Sequence, residues 1–211
     1  MSEDPRTTRR AARLEQRRTD LVTAAYGLVL ARGFRTISVD DIAVAAGVSH
    51  GTFYNYFDNK REILDAVIDH CFRHIRTLLL GPEGDDFPDT MADFRTRYER
   101  VIDRCYDLVA TEPGLVNFLL LEASSIDDRV IERCIHNAGR YGEQAIQLVS
   151  HGMKLGYLDA RVDVEVAGEV LLSVLVSALL SALRAGADGL TQERVRLELT
   201  DFLSLALGVE P

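Results

Sequence analysis

The sequence predicts an all-α protein, and three observations carry that expectation. Apolar residues recur at helical spacing through most of the 211 residues, and alternating strand-type runs are nearly absent. Capping residues stand ahead of helical stretches with an acid three positions on, as in Ser38 with Asp41 and Asn59 with Glu62. Glycine and proline punctuate the ends, at Gly33, Gly47, the GPEGDDFPD run of 81–89, Pro113, Gly156 and the glycines of 186–189.

Each element follows in order. Leu21, Ala25, Leu28 and Val29 place an apolar stripe on a first helix, which Gly33 is expected to end. Ahead of it, residues 1–17 read as a flexible basic arm, and the six arginines between Arg6 and Arg18 meet one acid, Glu15. Ser38 should cap a short helix over about Val39 to Ala46, which Gly47 breaks. Ser49 should cap a third, reaching about Tyr56. A long helix is then expected from Asn59 to about Leu80, burying Ile63, Leu64, Val67, Ile68, Cys71, Phe72, Ile75 and Leu79. Beyond the 81–89 loop, helices are expected over about 90–110, 113–124, 127–156, 162–186 and 191–208. This gives two domains, 1–61 and 62–211, that share the long helix.

Charge separates the same two regions. The net charge is −9, which argues against a polyanion partner for the chain as a whole. Residues 1–61 nevertheless balance at +3 and residues 62–211 at −12. Three cysteines, Cys71, Cys105 and Cys134, stand far apart in no CxxC pattern, which excludes a disulfide scaffold or zinc module and fits reduced thiols of a cytoplasmic protein. MSEDPRTTRR has no apolar stretch behind its charges, so no secretory signal is expected. The longest apolar run, VLLSVLVSALLSAL at 170–183, falls below the roughly 18–20 residues that span a bilayer and is read as a buried helix, with no membrane partner.

The chemistry concentrates in AAGVSHGTFYNYFDNK, residues 45–60. Two short helices around Gly47 satisfy the demands of a helix-turn-helix. Ala43 is small where the helix axes cross, and Gly47 tolerates left-handed backbone. Ile42, Val48, Phe53 and Phe57 are spaced to bury inward. A plain helical hairpin meets the same demands, and the outward residues decide between them. A recognition helix brings its N-terminal residues to base edges in the major groove. Here these are Ser49, His50, Gly51 and Thr52, with Tyr54, Asn55 and Tyr56 beside them. Lys60, in the first turn of the next helix, suits that helix poorly by charge and suits a phosphate there well.

SVDDIAVAAGVSHGTFYNYFDNKREIL, residues 38–64, closely resembles the DNA-binding signature of the TetR family of bacterial transcriptional regulators. The resemblance is specific over about residues 18–68. It implies an all-α homodimer, with an N-terminal three-helix helix-turn-helix domain joined by a long helix to a larger C-terminal ligand-binding and dimerisation domain. It implies a palindromic double-stranded DNA operator and a small-molecule effector, with no cofactor. On matching positions, His50, Gly51 and Thr52 would face bases, and Ser38, Ser49, Tyr54, Asn55, Tyr56 and Lys60 would approach the backbone. Asp40 departs from the family pattern, since some relatives carry a contacting residue there. It either accepts from a cytosine amino group or faces solvent, and solvent is the preferred reading.

In the acidic body, residues 162–186 set Ser173, Ser177, Ser181 and Ala185 four apart beside many leucines, and 191–208 adds Val195, Leu199, Phe202, Leu203 and Leu207. These two helices are expected to form the dimer interface. Phe72, Leu79, Phe94, Tyr98, Tyr106, Phe118, Leu119 and Tyr141 are candidate walls of an apolar ligand cavity, with Glu122, His136 and Asn137 as polar candidates. The expected function is a repressor released from its operator by a small apolar or amphipathic effector. An enzyme has little support beyond His70 and His74 at helical spacing, with no third metal ligand evident. A non-specific DNA binder has no use for the His50–Thr52 tip.

Overall fold

The computed structural model describes residues 5–81, 86–184 and 191–208, and side chains from residue 9 onward. Nine α-helices carry the described fold. They are α1 (Pro5–Arg32), α2 (Val39–Ala45), α3 (His50–Phe53), α4 (Lys60–Leu80), α5 (Met91–Thr111), α6 (Pro113–Asn117), α7 (Asp128–Leu155), α8 (Val164–Leu183) and α9 (Gln192–Leu207). The centre of the 81–89 loop, Ala185 and the glycines of 186–189 lie outside the described residues.

The chain divides into two compact units. One comprises residues up to Arg73 together with Asn117–Cys134, and the other comprises His74–Val116 with the chain from Ile135 onward. In the first, α2 packs on both α1 and α3. Leu21, Ala25, Val29, Ile42, Ala43, Phe53, Phe57, Ile63, Leu64, Val67 and Ile68 are buried there, while Val48 is half-buried. In the second, α5 packs on α8 and α9 around a core that includes Phe94, Tyr98, Val149, Leu171 and Leu203.

The expected first helix begins too late. Rather than a flexible arm before it, α1 runs from Pro5. The reason is local: after Pro5, which suits a first helical position, the arm holds no further proline and no glycine until Gly27. Alanine, leucine, arginine, glutamate and glutamine dominate residues 9–18, and all are good helix formers. Residues 9–19 are exposed, so little tertiary packing holds this part of α1. The expected 113–124 helix is also modified. One α-helical stretch gives way to a π-helical turn over Phe118–Glu122 and a 3₁₀ turn over Ala123–Ser125.

Helix α8 calls for a correction. Its 20 residues, with a mean hydropathy of 2.2 over the most apolar window, are long and apolar enough to cross a membrane by length and composition. The run counted from Val170 stops at Glu169, whereas apolar residues resume on the far side of that charge. Ala167, Gly168, Leu171, Val174 and Ala178 of α8 are buried, while Val166, Val176, Leu180 and Leu183 are exposed. Where α8 crosses α7, a Cβ on Gly168 would lie 2.6 Å from Cγ1 of Ile146, so glycine is required there. Ser173 and Ser177 of the small-residue row are exposed.

Candidate functional site

The turn between α2 and α3 is built by its capping groups. The Ser38 hydroxyl accepts from the Asp41 N–H at 3.1 Å, and the Ser38 N–H donates to the Asp41 carboxylate at 2.7 Å. This is the reciprocal capping box the spacing predicts. Hydrogen bonds from the Ser38 hydroxyl and N–H, then from Arg32, hold the Asp41 carboxyl down at about 2. Gly47 takes φ +66°, the left-handed geometry that closes the turn. Ser49 then caps α3 by accepting from the Thr52 N–H at 3.1 Å, with the two hydroxyls 2.8 Å apart. Phe53 and Phe57 anchor α3 beneath, with ring centroids 5.8 Å apart and Arg18 5.0 Å from the Phe57 ring.

This anchoring leaves one face outward. Ser49, His50, Gly51, Tyr54 and Asn55 are exposed, and Thr52 and Tyr56 are half-buried. Ser38, at the head of α2, is exposed as well. The structure therefore brings the tip residues together on one short segment.

Lys60 departs from the simple reading of a free phosphate ligand. Its ammonium donates to the Ile37 carbonyl at 2.6 Å and sits 4.3 Å from the centroid of the Phe34 ring. Partial burial lowers its pKa, and the Asp41 charge opposes that shift. Asp40 also departs from expectation. Its side chain is exposed, yet its carboxylate contacts His50 Nδ1 instead of solvent alone. No local pattern signals this pair, because the partners stand ten positions apart across the turn. The α4 cap differs slightly too: Asn59 accepts from the Glu62 N–H at 3.0 Å, while Glu62 reaches the Asp58 N–H at 2.6 Å.

The second unit holds a cavity of about 230 Å³. Leu80, Phe87, Val101, Leu148, Leu171 and Leu175 give it apolar walls, and Arg97, Gln144 and Gln147 add polar groups. Of the residues singled out in the sequence, Tyr98 and Tyr141 line it. Phe94 and Tyr106 are buried elsewhere in that unit, and His136 is exposed. Phe72, Phe118 and Glu122 belong to the first unit, where Glu122 accepts from the Asn117 amide at 2.7 Å. The wall residues missed beside Tyr141 had a sequence signal: Gln144, Ala145 and Leu148 follow it at i+3, i+4 and i+7 on α7. Burial pushes the Tyr141 hydroxyl up to about 12, so it stays a neutral hydrogen-bonding group.

His70 and His74 have separate partners. The His70 ring meets Tyr26 edge-on at 4.9 Å, and His74 Nε2 lies 2.8 Å from Glu112. Among the described residues no cluster of three metal-ligating side chains occurs.

Comparison with known proteins matches both parts of this architecture. The profile of the bacterial regulatory proteins, tetR family, matches residues 21–67, which contain α2 and α3. The HTH-type transcriptional repressor KstR2 of Rhodococcus jostii (strain RHA1) is 29% identical over 155 residues, 72% of each chain. The HTH-type transcriptional regulator EthR of Mycolicibacterium smegmatis is 41% identical over 63 residues, 29% of each chain. Solved structures at lower identity share the fold. The transcriptional regulator FadR of Bacillus subtilis, solved in complex with stearoyl-CoA, superposes with a TM-score of 0.65 at 18% identity, covering 88% of this chain and 96% of that one. A helix-turn-helix with an exposed tip precedes a helical unit that shares the fold of these solved structures, and residues 21–67 carry the helix-turn-helix of the bacterial regulatory proteins of the tetR family, which are DNA-binding transcription regulators rather than enzymes.

Proposed function

We propose that the protein is an effector-responsive repressor that binds a palindromic operator as a homodimer. The observation that carries this reading is the tip of α3 on a rigid base: His50 and Gly51 are exposed and Thr52 is half-buried, while Phe53 and Phe57 are fully buried beneath them. A tip built this way serves base edges. In this reading His50, Gly51 and Thr52 meet bases, and Ser38, Ser49, Tyr54, Asn55, Tyr56 and Lys60 approach the phosphates. The basic face of α1 adds charge attraction through Arg9, Arg10, Arg13, Arg17 and Arg18.

The cavity supports the effector half. At about 230 Å³ it is close to the lower end for small-molecule sites, roughly 300 Å³. Mostly apolar walls with an arginine, two glutamines and two tyrosines favour a small apolar or amphipathic effector. Leu80, the last residue of α4, is one of the lining residues, and Lys60, the first, follows directly on the recognition segment. An effector that favours a different setting of α4 would release DNA by the difference in its affinity for the two states. Dimerisation falls to the α8 and α9 region, about 162–186 and 191–208.

Selection of genomic fragments by the purified protein at near-physiological salt tests the reading. The expected result is one enriched palindrome. Salt-sensitive binding with no enriched sequence overturns it.

A further inference from the structure

Asp40 has no evident place in DNA binding. Like charge makes a carboxylate beside phosphates unfavourable, and the first turn of α2 is already capped by Asp41. A general preference of helix N-termini for acids would be served equally by a side chain turned to solvent. Instead the Asp40 carboxylate contacts Nδ1 of His50, the first residue of α3. The pair is well exposed, with 74% and 55% of the two side chains accessible, so it contributes little to stability. What it does supply is orientation. The Tyr54 ring borders the same imidazole, with centroids 5.1 Å apart at 57°.

We infer that Asp40 is a positioning residue for base recognition: by accepting a hydrogen bond from His50 Nδ1, it fixes the imidazole so that Nε2 is the atom presented to DNA. The inference rests on the proposed operator-binding role of the α3 tip. A carboxylate only accepts, so the proton on Nδ1 is fixed whatever the charge of the ring. A neutral ring then offers Nε2 as an acceptor, matched to the exocyclic amino group of cytosine or adenine. A protonated ring offers it as a donor, matched to guanine N7 or O6. In either state the identity of one base pair per half-site depends on a residue that need not touch DNA.

Two substitutions separate positioning from charge. Asp40→Ala removes both the acceptor and the negative charge, whereas Asp40→Asn removes the charge and keeps an acceptor. Both are expected to raise affinity for random DNA by about two- to fivefold. Fragment selection should show that Asp40→Ala loses preference at one base pair per half-site, the same one lost in His50→Ala, and that Asp40→Asn retains it. Nitrogen-15 NMR of the DNA-free protein, on the alkaline plateau of the His50 signal, should show the Nδ1–H tautomer in the wild type. That signal should shift toward Nε2–H in Asp40→Ala and stay put in Asp40→Asn. A wild-type ring in the Nε2–H form overturns the inference, as does an Asp40→Ala protein that keeps the full base preference. If the wild type selects no sequence at all, the operator-binding reading fails and takes the base-reading role with it, whereas the tautomer result still stands by itself.

Discussion

At the scale of single residues, Lys60 has partners within the protein and a proposed one in DNA. Its position at the head of α4 points to a phosphate, and its ammonium is also held against the protein by the Ile37 carbonyl and the Phe34 ring. An ammonium has three donors, so one bond to Ile37 leaves two for DNA. Lys60→Ala is therefore expected to lose two things together. Urea denaturation should show a loss of about 1–2 kcal/mol, because a charged hydrogen bond and a cation–π contact disappear. The slope of log binding constant against log salt should shrink by about one phosphate contact. Unchanged stability would mean that the Ile37 and Phe34 contacts contribute nothing in solution. An unchanged slope would remove Lys60 from the phosphate contacts. The internal partners were not legible in the sequence, because Ile37 and Phe34 stand more than twenty positions away and belong to no periodic pattern. The Asp40–His50 contact was hidden for the same reason. Local spacing reports which face of a helix a residue occupies, but a tertiary partner is chosen by how the turn at Gly47 folds back.

At the scale of elements, caps and periodicity made most of the helices legible. Ser38, Ser49 and Asn59 each accept from a backbone N–H at a helix start, and the apolar stripe of α4 is the face that packs inward. The errors are physical as well. The arm before Leu21 lacks an apolar stripe, so periodicity is silent there, whereas propensity alone extends α1 to Pro5. The π-helical turn at Phe118–Glu122 has no spacing signature in the sequence. The α2 cap gives a pH prediction. The Asp41 carboxyl sits at about 2 in the folded chain, held down first by the Ser38 hydrogen bonds and then by Arg32, against roughly 3.9 when unfolded. A depressed folded value means that its stabilising contribution is fully present above about pH 4 and is lost as pH falls toward 2. Asp41→Asn should lower stability at neutral pH and flatten the decline between pH 4 and 2, measured by urea midpoints across that range. Ser38→Ala should cost about 1 kcal/mol at pH 7 through the lost cap. Parallel wild-type and Asp41→Asn curves over that range would show that the capping box does not form in solution.

At the scale of the whole molecule, recognition by one protomer is too limited to specify an operator, because α3 is four residues long and offers few base contacts. Pairing two such tips multiplies modest half-site affinities, provided that one interface holds both copies together. The proposed interface would use the exposed apolar surface of the second unit. On α8, Val166, Val176, Leu180 and Leu183 remain exposed, and on α9 Phe202 and Leu205 are 56% and 86% accessible. Side chains of this kind on two neighbouring helices are unfavourable in water and form a self-complementary patch when related by a two-fold axis. In the proposed dimer the same surplus would account for the membrane-like hydropathy of α8, since a helix that buries one side in its own unit and the other in a partner is apolar around most of its girth. Phe202→Asp combined with Leu205→Asp removes apolar surface from the exposed side only, so the helical content seen by circular dichroism should be retained. Sedimentation is expected to show a monomer, and binding to a full palindrome should fall to the level of a single half-site. A double variant that still sediments as a dimer would move the interface away from α9. A monomer that still held the full palindrome as tightly as the wild type would break the link between symmetry and recognition on which a palindromic operator depends.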